Sequence, residues 1–174
     1  GGSVAGLDIR VDGRLEYDGW YQVRLELAPQ AGPVNLHRLD LAMDFWPKAD
    51  VMSVHRGEEI AQAIPAGDGV VWESRAFGHR PKGFRGTWIP AVYVGNGGRG
   101  LWFRAASDAG WLLDDNTSCV FLERTDGRVT LRFALVNAPA EIRASRTLEF
   151  AFQGSPARPP NATPRRVLWE YPEP

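Results

Sequence analysis

Between Thr87 and Trp111 the chain reads TWIPAVYVGNGGRGLWFRAASDAGW. Ala91-Val92-Tyr93-Val94 and Leu101-Trp102-Phe103-Arg104 are two short aromatic-rich runs, with Gly95-Asn96-Gly97-Gly98 between them. Asn-Gly tolerates the positive φ that tight hairpin turns need, and Gly98 and Gly100 allow a longer or bulged loop. The segment predicts an antiparallel hairpin. Side chains alternate across a strand, so Leu101, Phe103 and Ala105 share one face and Trp102, Arg104 and Ala106 the other. Leu101 and Phe103 read as core. Trp102 then shares the outer face with Arg104, either partly exposed or under a covering loop.

The same period of two extends in both directions. From Leu15 to Leu27, Tyr21, Val23, Leu25 and Leu27 alternate with Trp20, Gln22, Arg24 and Glu26. Leu39, Leu41, Met43 and Phe45 alternate with Asp40, Ala42 and Asp44. Asp50 to Arg56 and Val70 to Phe77 read as two more strands. Val120 to Glu123 and Val129 to Val136 flank an Asp126-Gly127 turn, with Val129, Leu131, Phe133 and Leu135 facing inward. Leu148, Phe150 and Phe152 close the set. Only Gly57–Ala63 offers a helical turn or a loop. About nine strands separated by Gly, Pro, Asn and Asp predict an all-β fold, an antiparallel two-sheet β-sandwich of jelly-roll-like form. Polar–apolar alternation suits sheets with one wetted face.

The 174 residues fit one domain, and a chain of that length buries roughly 70 % of its unfolded surface. Residues 1–6 read as an added or cut edge, 7–154 as the sandwich, and 155–174 as a proline-rich linker or tail. Net charge is −1, and Lys48 and Lys82 are the only lysines among 20 basic residues. Those charges are dispersed, which argues against a nucleic-acid footprint. No apolar run approaches the roughly 20 residues of a membrane-spanning helix. Cys119 is the single cysteine, so neither an intrachain disulfide nor a cysteine zinc site can form.

An ordered set of motifs resembles a known family. It comprises Trp72-Glu73-Ser74-Arg75, Trp88-Ile89-Pro90, Val94-Gly95-Asn96, Arg99-Gly100-Leu101-Trp102-Phe103 and Gly110-Trp111. Downstream, Val129-Thr130-Leu131-Arg132, Leu135-Val136-Asn137, Arg146-Thr147-Leu148-Glu149-Phe150 and Pro156-Ala157-Arg158-Pro159 continue it. The order is similar to the β-sandwich region of bacterial putative glycoside hydrolases related to glycoside hydrolase family 123, many filed under a domain of unknown function. The resemblance runs from about residue 15 to about residue 160. It implies an exported bacterial protein, extracellular or periplasmic, in which the sandwich lies beside a (β/α) barrel carrying the catalytic carboxylates. It transfers no catalytic residue to this chain.

Aromatic faces stack on the C–H faces of sugar rings, and the chain has seven tryptophans. Trp20 and Trp102 fall on the polar parity of their strands, and Trp46 continues the outer parity of Asp40 and Asp44. Trp20, Trp46, Trp102 and Trp111, with Asn96, are the candidate carbohydrate-binding residues. The competing reading of each tryptophan is packing at the core or rim. Asp108, Asp114 and Asp115 supply hard oxygen ligands for a structural Ca2+, against the alternative of an Asx turn or a solvated loop. Asp114, Asp115 and Asn116 could equally contact sugar hydroxyls. His37, His55 and His79 match no metal spacing. His79 sits with Arg80, Lys82 and Arg85 in a basic loop that reads either as solvated or as a contact to an acidic sugar or a neighbouring domain.

Three functions compete. The leading one is a non-catalytic accessory sandwich that binds a polysaccharide or oligosaccharide beside a glycosidase barrel. The second is a structural interdomain or oligomerisation module. The third, a glycosidase in its own right, needs two carboxyls roughly 5–5.5 or 6.5–9.5 Å apart across a cleft.

Overall fold

A computed structural model describes residues 1–4, 6–45, 49–55, 59–77, 86–96 and 98–156. In chain order its strands are β1 (Gly2–Val4), β2 (Leu7–Leu15), β3 (Trp20–Pro29), β4 (Val34–Leu36) and β5 (Leu39–Phe45). Next come β6 (Val51–His55), β7 (Glu59–Ala63), β8 (Gly69–Glu73), β9 (Ala91–Gly95) and β10 (Gly100–Arg104). The last are β11 (Val120–Thr125), β12 (Arg128–Val136), β13 (Ala140–Ile142) and β14 (Arg146–Ser155). The all-β antiparallel sandwich expected from the alternation is the observed fold. Among the described residues no helix is long and apolar enough to cross a membrane.

Eight strands form one sheet in the order β1-β2-β3-β14-β10-β9-β6-β7, and four form the other, β5-β12-β11-β8. One ribbon joins them. β3 pairs with β14, β4 with β13, and β5 with β12, all antiparallel. The stretches 20–45 and 128–155 thus run side by side and bend together from the large sheet to the small one. This folded ribbon is the jelly-roll-like element.

The core lies between the sheets, where the inward parities meet. Phe103 of β10 stacks on Phe133 of β12 with ring centroids 3.9 Å apart, which ties the sheets at their centre. Val23, Leu25, Leu27, Leu122, Val129, Leu131 and Leu148 are buried around this pair. Trp72, Trp88 and Trp111 are buried as well. Leu39, Leu41, Met43 and Phe45 are only partly buried, because β5 is an edge strand of the small sheet.

Several sequence expectations need correction. Residues 59–63 form strand β7, not a helical turn, because pairing with β6 satisfies their backbone while five residues are too few for a stable helix. The stretch from residue 15 is two strands: Leu15 ends β2, and Glu16–Gly19 turns the chain into β3. Residues 2–4 are an edge strand on β2. The strand count rises above nine because β1, β4, β7 and β13 are too short or too exposed to carry an alternating pattern.

The β9–β10 and β11–β12 hairpins turn by different chemistry. Asp126 and Gly127 have φ of 51° and 75°, the pair of positive values a two-residue type I′ turn requires. Asn96 does not adopt positive φ. Its Oδ1 accepts hydrogen bonds from the backbone N–H groups of Gly98 (3.0 Å) and Arg99 (2.9 Å), and its own N–H donates to the Arg99 carbonyl at 2.8 Å. A side-chain cap thus closes the β9–β10 loop.

Candidate functional site

The two outward faces differ in how their charges are used. On the small sheet, Arg132 donates to Asp40 at 3.0 Å and to Glu123, while Arg38 donates to both Asp40 oxygens at 2.9 and 2.8 Å. The guanidiniums of Arg132 and Arg38 also lie over the Phe121 ring, at 4.5 and 5.4 Å. Charges on this face satisfy one another.

The large sheet differs. Its register sets residues of neighbouring strands in transverse rows on the outer face. One row runs Trp20 (β3), Gln153 (β14), Trp102 (β10) and Tyr93 (β9). Trp20 and Trp102 are therefore two strand spacings apart, about 10 Å at the backbone. The next row runs Arg14 (β2), Gln22 (β3), Ala151 (β14) and Arg104 (β10). A third sets Asp12 and Glu149 on either side of Arg24.

The second and third rows, with Trp20 from the first, line an open groove of about 450 Å³. Its depth comes from side-chain size: Ala151, 4 % exposed, forms the floor between the longer Gln22 and Arg104. Trp20 stands in one wall, and Arg14, Arg24, Arg104 and Glu149 surround the opening. A cavity of this volume is in the range of small-ligand sites. Asp12 also lines the groove, with its carboxylate 3.0 Å from Arg10.

Trp102 borders this region in a supporting role. The Arg104 guanidinium lies 4.6 Å from the centre of its ring, and Tyr93 packs against it at 5.3 Å and 46°. The Tyr93 hydroxyl donates to the Asn96 carbonyl at 3.1 Å. A chain of contacts thus links the hairpin turn to Arg104.

Trp20 and Trp102 are half-buried on one outer face, as the parity predicts. Asn96 sits at the end of that face, with its side-chain oxygen committed to the turn. Trp111 is elsewhere. It is 4 % exposed and packs edge-on against Trp88, Phe103 and Phe133 at 6.4–6.5 Å, so no ligand reaches its faces. Trp46 and His79 lie outside the described residues.

Asp114 heads an Asx-type turn. Its Oδ1 accepts from the Asn116 N–H at 3.0 Å and the Thr117 hydroxyl at 2.9 Å. The Thr117 hydroxyl, foremost, and the Asn116 N–H hold its carboxyl below the ordinary value. Asn137 braces the turn from outside, accepting from the Asp114 N–H at 2.6 Å and donating to the Thr117 carbonyl at 2.9 Å. Among the described residues no three His, Cys, Asp or Glu side chains are placed to hold a metal ion, so Asp108, Asp114 and Asp115 do not converge as a ligand set.

Arg14, Arg24 and Arg104, which line the groove, were not among the candidate residues read from the sequence. The outward parity of Arg24 and Arg104 was legible, whereas Arg14 lies on β2, a strand the alternation did not predict. The adjacency of β3, β14 and β10, distant in sequence, was not legible.

The fold and groove define a class: an antiparallel β-sandwich with a ligand-sized depression on the open face of its larger sheet. Compared with known proteins, the chain matches no family model, no curated protein and no solved structure.

Proposed function

We propose that this chain is a non-catalytic carbohydrate-binding sandwich, the accessory module of a carbohydrate-active enzyme of the kind its motif order resembles. One observation carries the reading: the groove of about 450 Å³ with Trp20 in its wall and Gln22 and charged side chains around it. An indole presents a flat apolar face to sugar C–H groups, and amide, carboxylate and guanidinium groups meet the hydroxyls. The groove is open along the sheet, which suits a chain-like ligand better than a small enclosed one. In this reading the protein acts outside the cytoplasm, extracellular or periplasmic, beside a catalytic barrel.

The test is affinity electrophoresis of the purified chain through gels containing plant, microbial and host polysaccharides. Retardation by at least one glycan, lost in Trp20→Ala at unchanged melting temperature, is the expected result. Equal mobility in every gel removes the binding role.

A second reading, the interdomain module, has its own support. On the inward parity of β2 and β3, Val11 is 51 %, Leu15 70 % and Tyr21 38 % exposed. Apolar surface of this kind marks docking sites. The two readings use opposite faces of the same strands and are compatible.

A further inference from the structure

We infer that the ligand of the outer groove is an acidic glycan, one whose sugars carry carboxylate or sulfate groups, and that Arg14, Arg24 and Arg104 read those groups. The inference rests on the carbohydrate reading above and adds the chemistry of the substituent.

Several arginines already have acidic partners. Arg10 pairs with Asp12, Arg38 and Arg132 with Asp40, Arg143 with Glu141, and Arg75 with Glu73. By contrast, no ion pair or hydrogen bond engages the side chain of Arg14 or Arg24 among the described residues. Arg104 is held by the Trp102 ring at 4.6 Å, and its Nε is buried without a hydrogen-bond partner among the described residues. Three guanidiniums thus bring unused donors to one groove. Two carboxylates share it, and Asp12 is engaged by Arg10. Glu149 alone cannot match three cations.

Placement favours a substituted chain over a single ion. Arg14 and Arg104 lie in one transverse row with Gln22 and Ala151 between them, three strand spacings or about 14 Å apart at the backbone. Arg24 occupies the next row along the strands. Cations spread in this way meet charges on successive or alternate residues of a linear ligand. Guanidinium donors match a carboxylate or sulfate in a two-point geometry, whereas a neutral hydroxyl uses only one. Contact with the Trp102 ring restricts the rotamers of Arg104 and holds its guanidinium beside the groove.

The test measures affinity of the intact chain for polygalacturonate, for the same polymer with its carboxyls reduced to alcohols, and for poly-glutamate as a non-sugar polyanion. Expected is about tenfold or greater preference for polygalacturonate over its reduced form, as the loss of one charge-assisted hydrogen bond gives. Dextran sulfate, the sulfated arm, should also outbind unsubstituted dextran by about tenfold. Arg14→Gln and Arg104→Gln should each weaken polygalacturonate binding by about tenfold at unchanged far-UV circular dichroism. If Arg104→Gln does not fold, Arg14→Gln and Arg24→Gln decide the matter, since both arginines lie outside the core.

The other outcomes each overturn something definite. Equal affinity for the acidic and neutral forms within both pairs keeps the carbohydrate reading and overturns the acidic one. Poly-glutamate bound as tightly as polygalacturonate makes the groove a general anion surface and overturns the inference. Polygalacturonate binding untouched by all the arginine variants places the contact elsewhere and overturns the assignment. Absence of binding to every glycan, neutral or acidic, overturns both readings together.

Discussion

The guanidinium of Arg104 lies over the indole of Trp102, 4.6 Å from its centre, with both side chains on the outer face of β10. This placement changes what Trp102 is for. Its ring supports an arginine, and Trp20 across β14 is the indole that stands in the groove wall.

Trp102→Ala should therefore lower stability and binding together. The lost contacts are one cation–π pair and one tilted aromatic pair with Tyr93, which together cost about 1–3 kcal/mol. Thermal or urea unfolding gives the first number and glycan affinity the second. A double-mutant cycle with Arg104→Ala should return a coupling of about 0.5–2 kcal/mol. Additive single changes would mean that the stack contributes nothing.

Phe103→Ala should be far more damaging. Phe103 is fully buried and stacked on Phe133 across the sandwich, so truncation loses about 3–5 kcal/mol through transfer and cavity terms. Urea denaturation of the variant checks this. A loss under 1 kcal/mol would show that the sheets close over the gap and that this pair does not anchor them.

Ser74 is buried, and its hydroxyl accepts from the N–H groups of Cys119 at 3.1 Å and Val120 at 3.2 Å. It replaces the backbone partner that β11 lacks at its entry. Ser74→Ala removes the side-chain acceptor that these two N–H groups share and should cost about 1–3 kcal/mol, while Ser74→Thr keeps the acceptor but adds a methyl. Amide exchange at residues 119 and 120 in the alanine variant should accelerate. Unchanged exchange there would refute the role.

Asp114 makes the 114–117 turn sensitive to acid. Its carboxyl is held below the ordinary value by the Thr117 hydroxyl and the Asn116 N–H. A depressed value in the folded state means the stabilisation is complete above about pH 4 and is lost as pH falls through the lower folded value. Titration of the Asn116 and Thr117 amide shifts should show a midpoint below that of a free aspartate, absent in Asp114→Asn. A midpoint at or above the ordinary value would contradict the turn geometry.

What the sequence made legible follows the range of the interactions involved. Alternation in 39–45 and 129–135 and the Asp126-Gly127 turn are local, and each appears where the pattern puts it. The parity of Trp20 and Trp102 was equally local, so their outward placement could be read. Trp111 lies in the 105–119 connection, where no alternation says which way a side chain points; only the packing against Trp88, Phe103 and Phe133 puts it in the core. The groove depends on β14 lying between β3 and β10, a pairing between segments more than a hundred residues apart for β3 and β14. No local signal specifies that neighbour, and the unpaired arginines gain meaning only once it is known.

In the proposed function the outer face of the large sheet binds glycan at Trp20. Two-dimensional NMR of the tryptophan indole N–H signals during glycan titration tests it most directly. The Trp20 signal should move most and that of Trp102 next, with Trp72, Trp88 and Trp111 nearly still in the core. Movement confined to other indoles, or none with any glycan up to millimolar concentration, would contradict it.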